Sequence, residues 1–368
     1  MAIFIYQLPG WPSFKWNVEQ VNLVLTEVRH QQGRLLGRME RLGFALQSEA
    51  TLQTLTLDVL KSSEIEGELL DAGQVRSSIA RRLGIDIAGM VTADRHVEGV
   101  VEMMLDATQH FAQPLTEERL FSWHAALFPT GRSGMHKIIV GAWRDNPPHD
   151  PIQVLSGPMG KETIHYEAPA AELLPDEMKR FLQWFNESTN TDPVLKAAIA
   201  HVWFVTIHPF DDGNGRIARA VADMQLARAD GTAQRFCSMS AQTRKERNAY
   251  YTTLEKTQRG DLDITGWLEW FLQCLARALN ASEEILSSVF KKAFFWKAHE
   301  KTIFNQRQVL LLNKLLDGFE GKLTTSKWSK ISKCSHDTAL RDINDLIEKK
   351  VLVKEEAGGR SSSYVLVV

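Results

Sequence analysis

The chain has 368 residues, 44% hydrophobic and 24% charged, with a formal net charge of −2. That is long enough for two or three domains and is the composition of an ordinary globular protein rather than a disordered or fibrous one. Its three cysteines, Cys237, Cys274 and Cys334, lie far apart without a CxxC pair, which excludes a disulfide framework and a zinc ribbon. No apolar run approaches the roughly 18 residues needed to cross a bilayer. The start, MAIFIYQLPGWPSFKW, lacks the basic n-region of a signal peptide, so a cytoplasmic location without membrane contact is expected.

In chain order, residues 1–90 are mostly helical by period, with Trp11, Phe14 and Trp16 near the start as docking core. Leu52, Leu55, Val59 and Leu60 have the spacing of an amphipathic helix. It leads to Ser62–Gly67, SSEIEG, in which Ser62 and Glu66 lie one helical turn apart on the same face. Between Lys137 and Glu167 the chain becomes rich in β-branched residues, Gly and Pro. This predicts a hairpin, with strands near Ile152–Leu155 and Thr163–Tyr166 around a Ser-Gly-Pro-Met-Gly turn. Val194–Ile207, VLKAAIAHVWFVTI, is too long for a typical strand and predicts a buried helix. Pro209 breaks it, and a second helix begins near Arg216. Asp263 or Thr265 caps the last helical part of a central region spanning 91–290.

From about 297 the pattern changes. Helices are expected at Asn305–Leu316, Ser326–Ser332 and Ser335–Lys349. Two β-rich runs, Val351–Val353 and Ser363–Leu366, flank Gly358-Gly359-Arg360. This order resembles a winged helix-turn-helix. Residues 297–368 carry a net charge of +4, against −6 for the rest. The excess is mild for a DNA reader, and Asp337, Asp342, Asp345 and Glu348 on the recognition-helix candidate would repel phosphates unless turned away. DNA contact and protein contact or dimerisation both remain open.

The stretch His208–Arg219, HPFDDGNGRIAR, concentrates the chemistry. His208 is a proton acceptor near neutral pH, and Asp212 is a carboxylate suited to Mg²⁺. Gly213, Asn214 and Gly215 form a turn at a helix N-terminus, where backbone N–H groups and the positive dipole end make an anion site. Arg216 and Arg219 add guanidinium forks for phosphate oxygens. Base, metal ligand and polyphosphate cradle together point to phosphoryl or nucleotidyl transfer. A Rossmann reading of Gly213, Gly215 and Ala218 fails because an Ala-rich helical run precedes them instead of a strand. Gly157–Lys161 fails as a P-loop because its spacing is short and Glu162 follows the lysine. His201 and His208 lack a third clustered ligand for zinc.

The string matches H-P-F-x-[DE]-G-N-G-R-x-x-R at all nine fixed positions and so resembles the Fic family of protein adenylyltransferases. The resemblance implies an all-α core with a β-hairpin flap, and transfer of AMP from ATP to a hydroxyl side chain (Tyr, Thr or Ser) of a target protein, with pyrophosphate leaving. It assigns His208 as general base and Asp212 as ligand of Mg²⁺ at the α- and β-phosphates. Gly213, Asn214 and Gly215 become the anion nest, and Arg216 and Arg219 the partners of the β- and γ-phosphates. Gly141-Ala142-Trp143-Arg144 looks like the G-x-x-R that leads into the flap, and a target strand would pair with the flap at about 152–166. Arg247–Leu254, RNAYYTTL, is similar to the family's helix near adenine, so Tyr250 or Tyr251 would flank the base.

Ser62–Gly67 matches the family's inhibitory pattern [ST]-x-x-x-E-[GN], and the entry GWPSFKW resembles one Fic subgroup. By resemblance Glu66 forms a bidentate pair with Arg219 and denies it to the γ-phosphate, from within the same chain. Relatives often dimerise. In some relatives the equivalent glutamate also supports removal of AMP, and others use a different donor or transfer the terminal phosphate. The intact Gly213–Arg216 run favours AMP. A DNA-binding regulator with a Fic core as sensor is the competing class.

Overall fold

The computed structural model describes residues 4–87, 89–157, 161, 163–188, 190–316, 318–319, 321–355 and 362–367. The helices before the hairpin region are α1 (Val18–Glu40), α2 (Phe44–Ile65), α3 (Ala72–Leu83), α4 (Arg95–Gln109) and α5 (Glu117–Leu127). Short pairs β1 (Arg132–Ser133) with β2 (His136–Lys137), and β3 (Gln153–Ser156) with β4 (Thr163–Glu167), follow. Then come α6 (Leu174–Asn186), α7 (Pro193–Ile207), α8 (Asn214–Asp230), α9 (Met239–Lys245), α10 (Arg247–Gln258) and α11 (Thr265–Ala298).

The centre of the molecule is α7 against α8. Asp192 caps α7 by accepting from the Val194 N–H, and Pro193 fills the first turn, where its missing N–H costs nothing. Every residue from Val194 to Ile207 is buried, so the helix is apolar all round and other elements must wrap it. α8 is buried from Arg216 to Ala227 and ends at Gly231, whose φ of +66° is the left-handed conformation that closes a helix. Around this pair α1 packs on α11, α2 on α9 and α3, and α4 on α5 and α8. One continuous core runs from Ile5 to Val289. Trp11 and Phe14 dock edge-on against Trp203 of α7, in agreement with their reading as core. Ile264 occupies the N-cap position of α11 without a side-chain cap, and Asp263 before it accepts from the Thr265 N–H at 2.9 Å.

α11 passes through residue 290 without a break, and Phe295 near its end belongs to a second core. That core joins α12 (Gln306–Leu316), β5 (Leu323–Thr324), α13 (Thr325–Ile331), α14 (His336–Glu348), β6 (Leu352–Lys354) and β7 (Ser363–Leu366). The three strands form an antiparallel sheet in the order β5-β7-β6. Ser335 caps α14, as its hydroxyl accepts from the Thr338 N–H. The expected turn at Gly358–Arg360 and the centre of the Gly157–Lys161 turn lie outside the described residues. Among the described residues no helix is long and apolar enough to cross a membrane.

Candidate functional site

The loop between α7 and α8 carries His208. Its φ of 52° is uncommon for a side chain with a β-carbon, so its surroundings must hold it there. They do so with three contacts. The His208 N–H caps α7 through the Phe204 carbonyl at 3.0 Å. Nδ1–H donates to the Val205 carbonyl at 3.2 Å. The buried Arg144 donates from Nε to the His208 carbonyl at 2.8 Å and from another nitrogen to the Pro169 carbonyl at 2.6 Å. With Nδ1 committed as donor, Nε2 keeps its lone pair. Burial pushes the imidazole down to about 4, and the Arg144 charge adds to that against the opposing Val205 carbonyl, Asp212 and Glu66. The ring is therefore neutral at physiological pH.

Asp212 is half-buried. Its Oδ1 accepts from the Gly213 N–H at 2.5 Å, and Oδ2 accepts from the Ser133 hydroxyl. Asp211 anchors the neighbouring loop by accepting from the Ile139 N–H at 2.8 Å. Gly213 has φ +81°, and a β-carbon there would lie 2.9 Å from the Phe128 ring. The Asn214 side chain is turned inward: Nδ2 donates to the Phe210 carbonyl at 2.7 Å, and Oδ1 accepts from the Phe210 N–H at 3.0 Å. Asn214 thus pins the loop with its side chain and offers the site only its backbone. The first N–H groups of α8 have no intrahelical acceptor and lie at the positive end of the helix dipole.

Arg216 and Arg219 of α8 are buried and face carboxylates. Arg219 donates from Nε to the Ser62 hydroxyl and from Nη2 to the Ser62 carbonyl, each at 2.9 Å. The same Nη2 lies 2.8 Å from Oε1 of Glu66. Glu66 follows the last residue of α2, and Gly67 turns the chain away with φ +87°. Ser62 and Glu66 therefore both reach Arg219, Ser62 through Nε and Nη2 and the Glu66 carboxylate through Nη2 rather than a two-nitrogen fork. The Glu66 carboxylate also packs against Gly215, where a β-carbon would fall 2.3 Å from Oε1. Among the described residues, Arg219 Nη1 and Arg216 Nε are buried donors without a partner.

Arg216 has a carboxylate of its own. Its Nη1 donates to Glu68 at 2.6 Å, and the guanidinium lies over the Phe128 ring. Glu68 also contacts His96 at 3.3 Å. Burial acts to raise the Glu68 carboxyl, but the His96 hydrogen bond and the Arg216 charge prevail and hold it below the usual range. The hydrogen bond to Glu68 in turn raises His96. Glu68 and His96 carried no signal in the sequence, because nothing in a local pattern joins residues 68, 96 and 216.

These groups border a cavity of about 490 Å³ whose lining includes Glu66, His208, Gly215, Tyr251, Ser156 and Glu255. Tyr250 and Tyr251 both line the cavity, with different burial. Tyr250 is 2% exposed, with its hydroxyl 2.9 Å from His201 Nε2, so it packs more as core than as a base platform. Tyr251 is half-buried, stacks under Arg247 and reaches Glu66 with its hydroxyl at 3.4 Å. The hairpin β3–β4 closes one side in antiparallel register, with a bulge between Val154 and Leu155. It is two-stranded, so both outer edges are unpaired by sheet. Among the described residues no group of three or more His, Cys, Asp or Glu side chains is placed to hold a metal by itself.

Residues 114–226, which hold the hairpin and most of the α7–α8 helix–loop–helix, match the Fic/DOC family. Residues 4–85 match a second family, described as a domain of unknown function (DUF4172). Protein adenylyltransferase fic-1 of Caenorhabditis elegans is 29% identical over 216 residues, covering 57% of this chain and 38% of that protein. Protein adenylyltransferase Fic of Drosophila yakuba is 26% identical over 233 residues, covering 60% of this chain and 40% of that one. The matches thus span about two fifths of the length of these curated relatives. A Fic family protein from Desulfovibrio desulfuricans G20 shares the fold with a TM-score of 0.53 at 20% identity, over 96% of this chain and 97% of the other. A Fic domain containing signaling protein from Bacteroides thetaiotaomicron VPI-5482 does so with a TM-score of 0.50 at 19% identity, over 73% of this chain and 98% of the other.

Proposed function

We propose that this chain is a protein adenylyltransferase that moves AMP from ATP to a hydroxyl side chain of a target protein, restrained by Glu66. The observation that carries the reading is that His208, with a free Nε2, and Gly215, in the first turn of α8, line one cavity together with Glu66, the partner of Arg219. Behind that lining, Arg216 Nε and Arg219 Nη1 are buried guanidinium donors without partners among the described residues. Unpaired buried N–H groups are costly, and an anionic ligand with several oxygens would satisfy them. The names of the C. elegans and Drosophila relatives support AMP as the transferred group.

In this reading His208 Nε2 takes the proton of the incoming hydroxyl as its oxygen attacks the α-phosphate. A single carboxylate, Asp212, beside a polyphosphate fits Mg²⁺, which commonly takes one or two carboxylates plus phosphate oxygens. When bound, the ion neutralises charge on the phosphates. The first turn of α8 and Arg216 bind the phosphates, and an edge of the hairpin aligns an extended target segment by strand addition. Tyr251 is the better placed of the two tyrosines to border the base. Glu66 occupies Arg219 and lies against Gly215, which keeps the γ-phosphate from its arginine. Intact-mass spectrometry after incubation with Mg²⁺ and ATP tests this. Added AMP is expected in Glu66→Gly and its loss in Glu66→Gly/His208→Ala. AMP addition that survives His208→Ala would refute the assignment of the base.

The unit from 297 onward is proposed to be a winged helix that touches DNA. Two of the four α14 acids are paired within the unit: the buried Asp342 is held by Arg307 and Asn305, and the part-exposed Asp345 by Lys349 and Gln308. Their repulsion of phosphate is reduced accordingly. Salt-dependent duplex binding by the full chain, lost on reversing Arg341, is the expected result; salt-independent or absent binding would leave protein contact as the role.

A further inference from the structure

The two aspartates of the α7–α8 loop are held from outside by residues 124–141. Part of that stretch is the short pair β1–β2, in which Ser133 pairs with His136 across a two-residue turn, Gly134-Met135. Gly134 has φ +54°, the left-handed region that such turns demand and glycine enters without steric cost. The half-buried Ser133 donates its hydroxyl hydrogen to Asp212 Oδ2. From within the loop, the Gly213 N–H donates to the other oxygen, Oδ1, at 2.5 Å. Further along, the Ile139 N–H donates to Asp211 at 2.8 Å. His124 accepts from the Gly141 N–H on Nδ1 at 3.3 Å, so its Nε2 carries the proton and donates to the Asp212 carbonyl at 3.2 Å. Backbone and carboxylate of Asp212 are thus fixed from separate elements. Donors on two different oxygens stop the carboxylate from rotating, and each oxygen keeps a further lone pair.

From these contacts we infer that Ser133 is a positioning residue for the divalent ion, its hydroxyl orienting the Asp212 carboxylate toward Mg²⁺ carried by the ATP phosphates. The inference rests on the proposed adenylyl transfer with Asp212 as the metal-binding carboxylate. Removing the hydroxyl has two opposed effects. The carboxylate loses a neutralising donor, which makes it the stronger ligand, and it regains freedom to turn, which makes it the weaker one. Loss of an outer donor to a metal ligand usually costs about 10- to 100-fold in metal affinity, so orientation prevails. The cost is felt in full here, because among the described residues Asp212 belongs to no cluster of three or more His, Cys, Asp or Glu side chains. Little else in the protein makes up for a carboxylate that has turned away. The short strand pair therefore has a use beyond connecting α5 to the flap: it carries the hydroxyl that sets the metal ligand.

The test separates the ion from the nucleotide. The full-length Glu66→Gly protein is titrated calorimetrically with α,β-methylene-ATP, which cannot release pyrophosphate, once with Mg²⁺ and once with EDTA. The dissociation constant in EDTA divided by that in Mg²⁺ reads the contribution of the ion. In Glu66→Gly/Ser133→Ala this ratio should fall about tenfold or more, toward the value of Glu66→Gly/Asp212→Ala, while binding in EDTA stays within about twofold. Ser133→Thr keeps a hydroxyl at a strand position and should restore the ratio. An unchanged or larger ratio in Ser133→Ala overturns the inference and leaves Asp212 as the metal ligand. Equal weakening with and without Mg²⁺ also overturns it, because a residue that only shaped the loop would act on both. A ratio that Asp212→Ala fails to lower overturns the metal assignment and the inference with it. No nucleotide binding in the Glu66→Gly protein overturns the proposed function as well.

Discussion

The loop from His208 to Arg219 and the segment from Ser62 to Glu68 meet face to face, and they are held in place by different means. In the loop, Arg144 grips the His208 carbonyl, Asn214 bonds Phe210 twice, and Gly213 admits the Phe128 ring. Each of these contacts is buried or internal to the loop and its supports. The opposing segment is tethered mainly through what it opposes. Glu66 and Glu68 are about a third exposed, and their anchors are Arg219 and Arg216. The lesson is that the loop is the rigid side, held by contacts of its own, while the carboxylates are the covering side, held by ion pairs to Arg216 and Arg219.

Disrupting the rigid side should have the largest effect. Arg144→Ala leaves the carbonyls of His208 and Pro169 without their charged donor in a buried setting. A loss of about 3 kcal/mol in stability is expected by urea unfolding, together with loss of AMP transfer. A variant as stable as the parent would show that the His208 conformation is held by the helix end alone. Releasing the covering side is next. Glu66→Gly should raise AMP transfer roughly 10- to 100-fold, the range of ordinary coupling energies, measured as initial rate with radiolabelled ATP.

Acid should act on the rigid side through His201. Burial, with help from the Arg219 charge, pushes this imidazole down to about 3 from an ordinary 6.5. Between those values the unfolded chain binds a proton and the folded chain does not. Stability is therefore retained above about 6.5 and lost as pH falls, at up to about 1.4 kcal/mol per pH unit. His201→Gln should flatten that slope in chemical unfolding curves; an unchanged slope would contradict the assignment. The smallest effect is expected from Glu68→Gln, which weakens the cover of Arg216 but leaves Glu66 on Arg219. We expect less than about a tenfold rise in rate, and most of it to disappear once Glu66 is already Gly, because the two residues cover one ligand. Full additivity would separate the two carboxylates.

Much of the rigid side was legible in the sequence because its chemistry is contiguous. His208, Asp212, Gly213, Arg216 and Arg219 occupy twelve positions, and the apolar run before them required a buried helix. Glu66 was legible through its spacing from Ser62. The geometry adds what spacing could not carry: the Arg219 contact runs through one guanidinium nitrogen, and Asn214 spends its side chain on Phe210. Glu68, His96 and the grip of Arg144 on His208 are long-range pairings with no local pattern. Tyr250 and Tyr251 are adjacent, so helical periodicity alone did not tell which one faces the core; the His201 contact does.

The central claim is that the chain transfers the AMP part of ATP. Incubating Glu66→Gly protein with Mg²⁺ and ATP labelled at either the α- or the γ-phosphate, and counting label retained on denatured protein, tests it most directly. Retention of the α label alone, dependent on His208, is the predicted result. Retention of the γ label, or of neither, would contradict it.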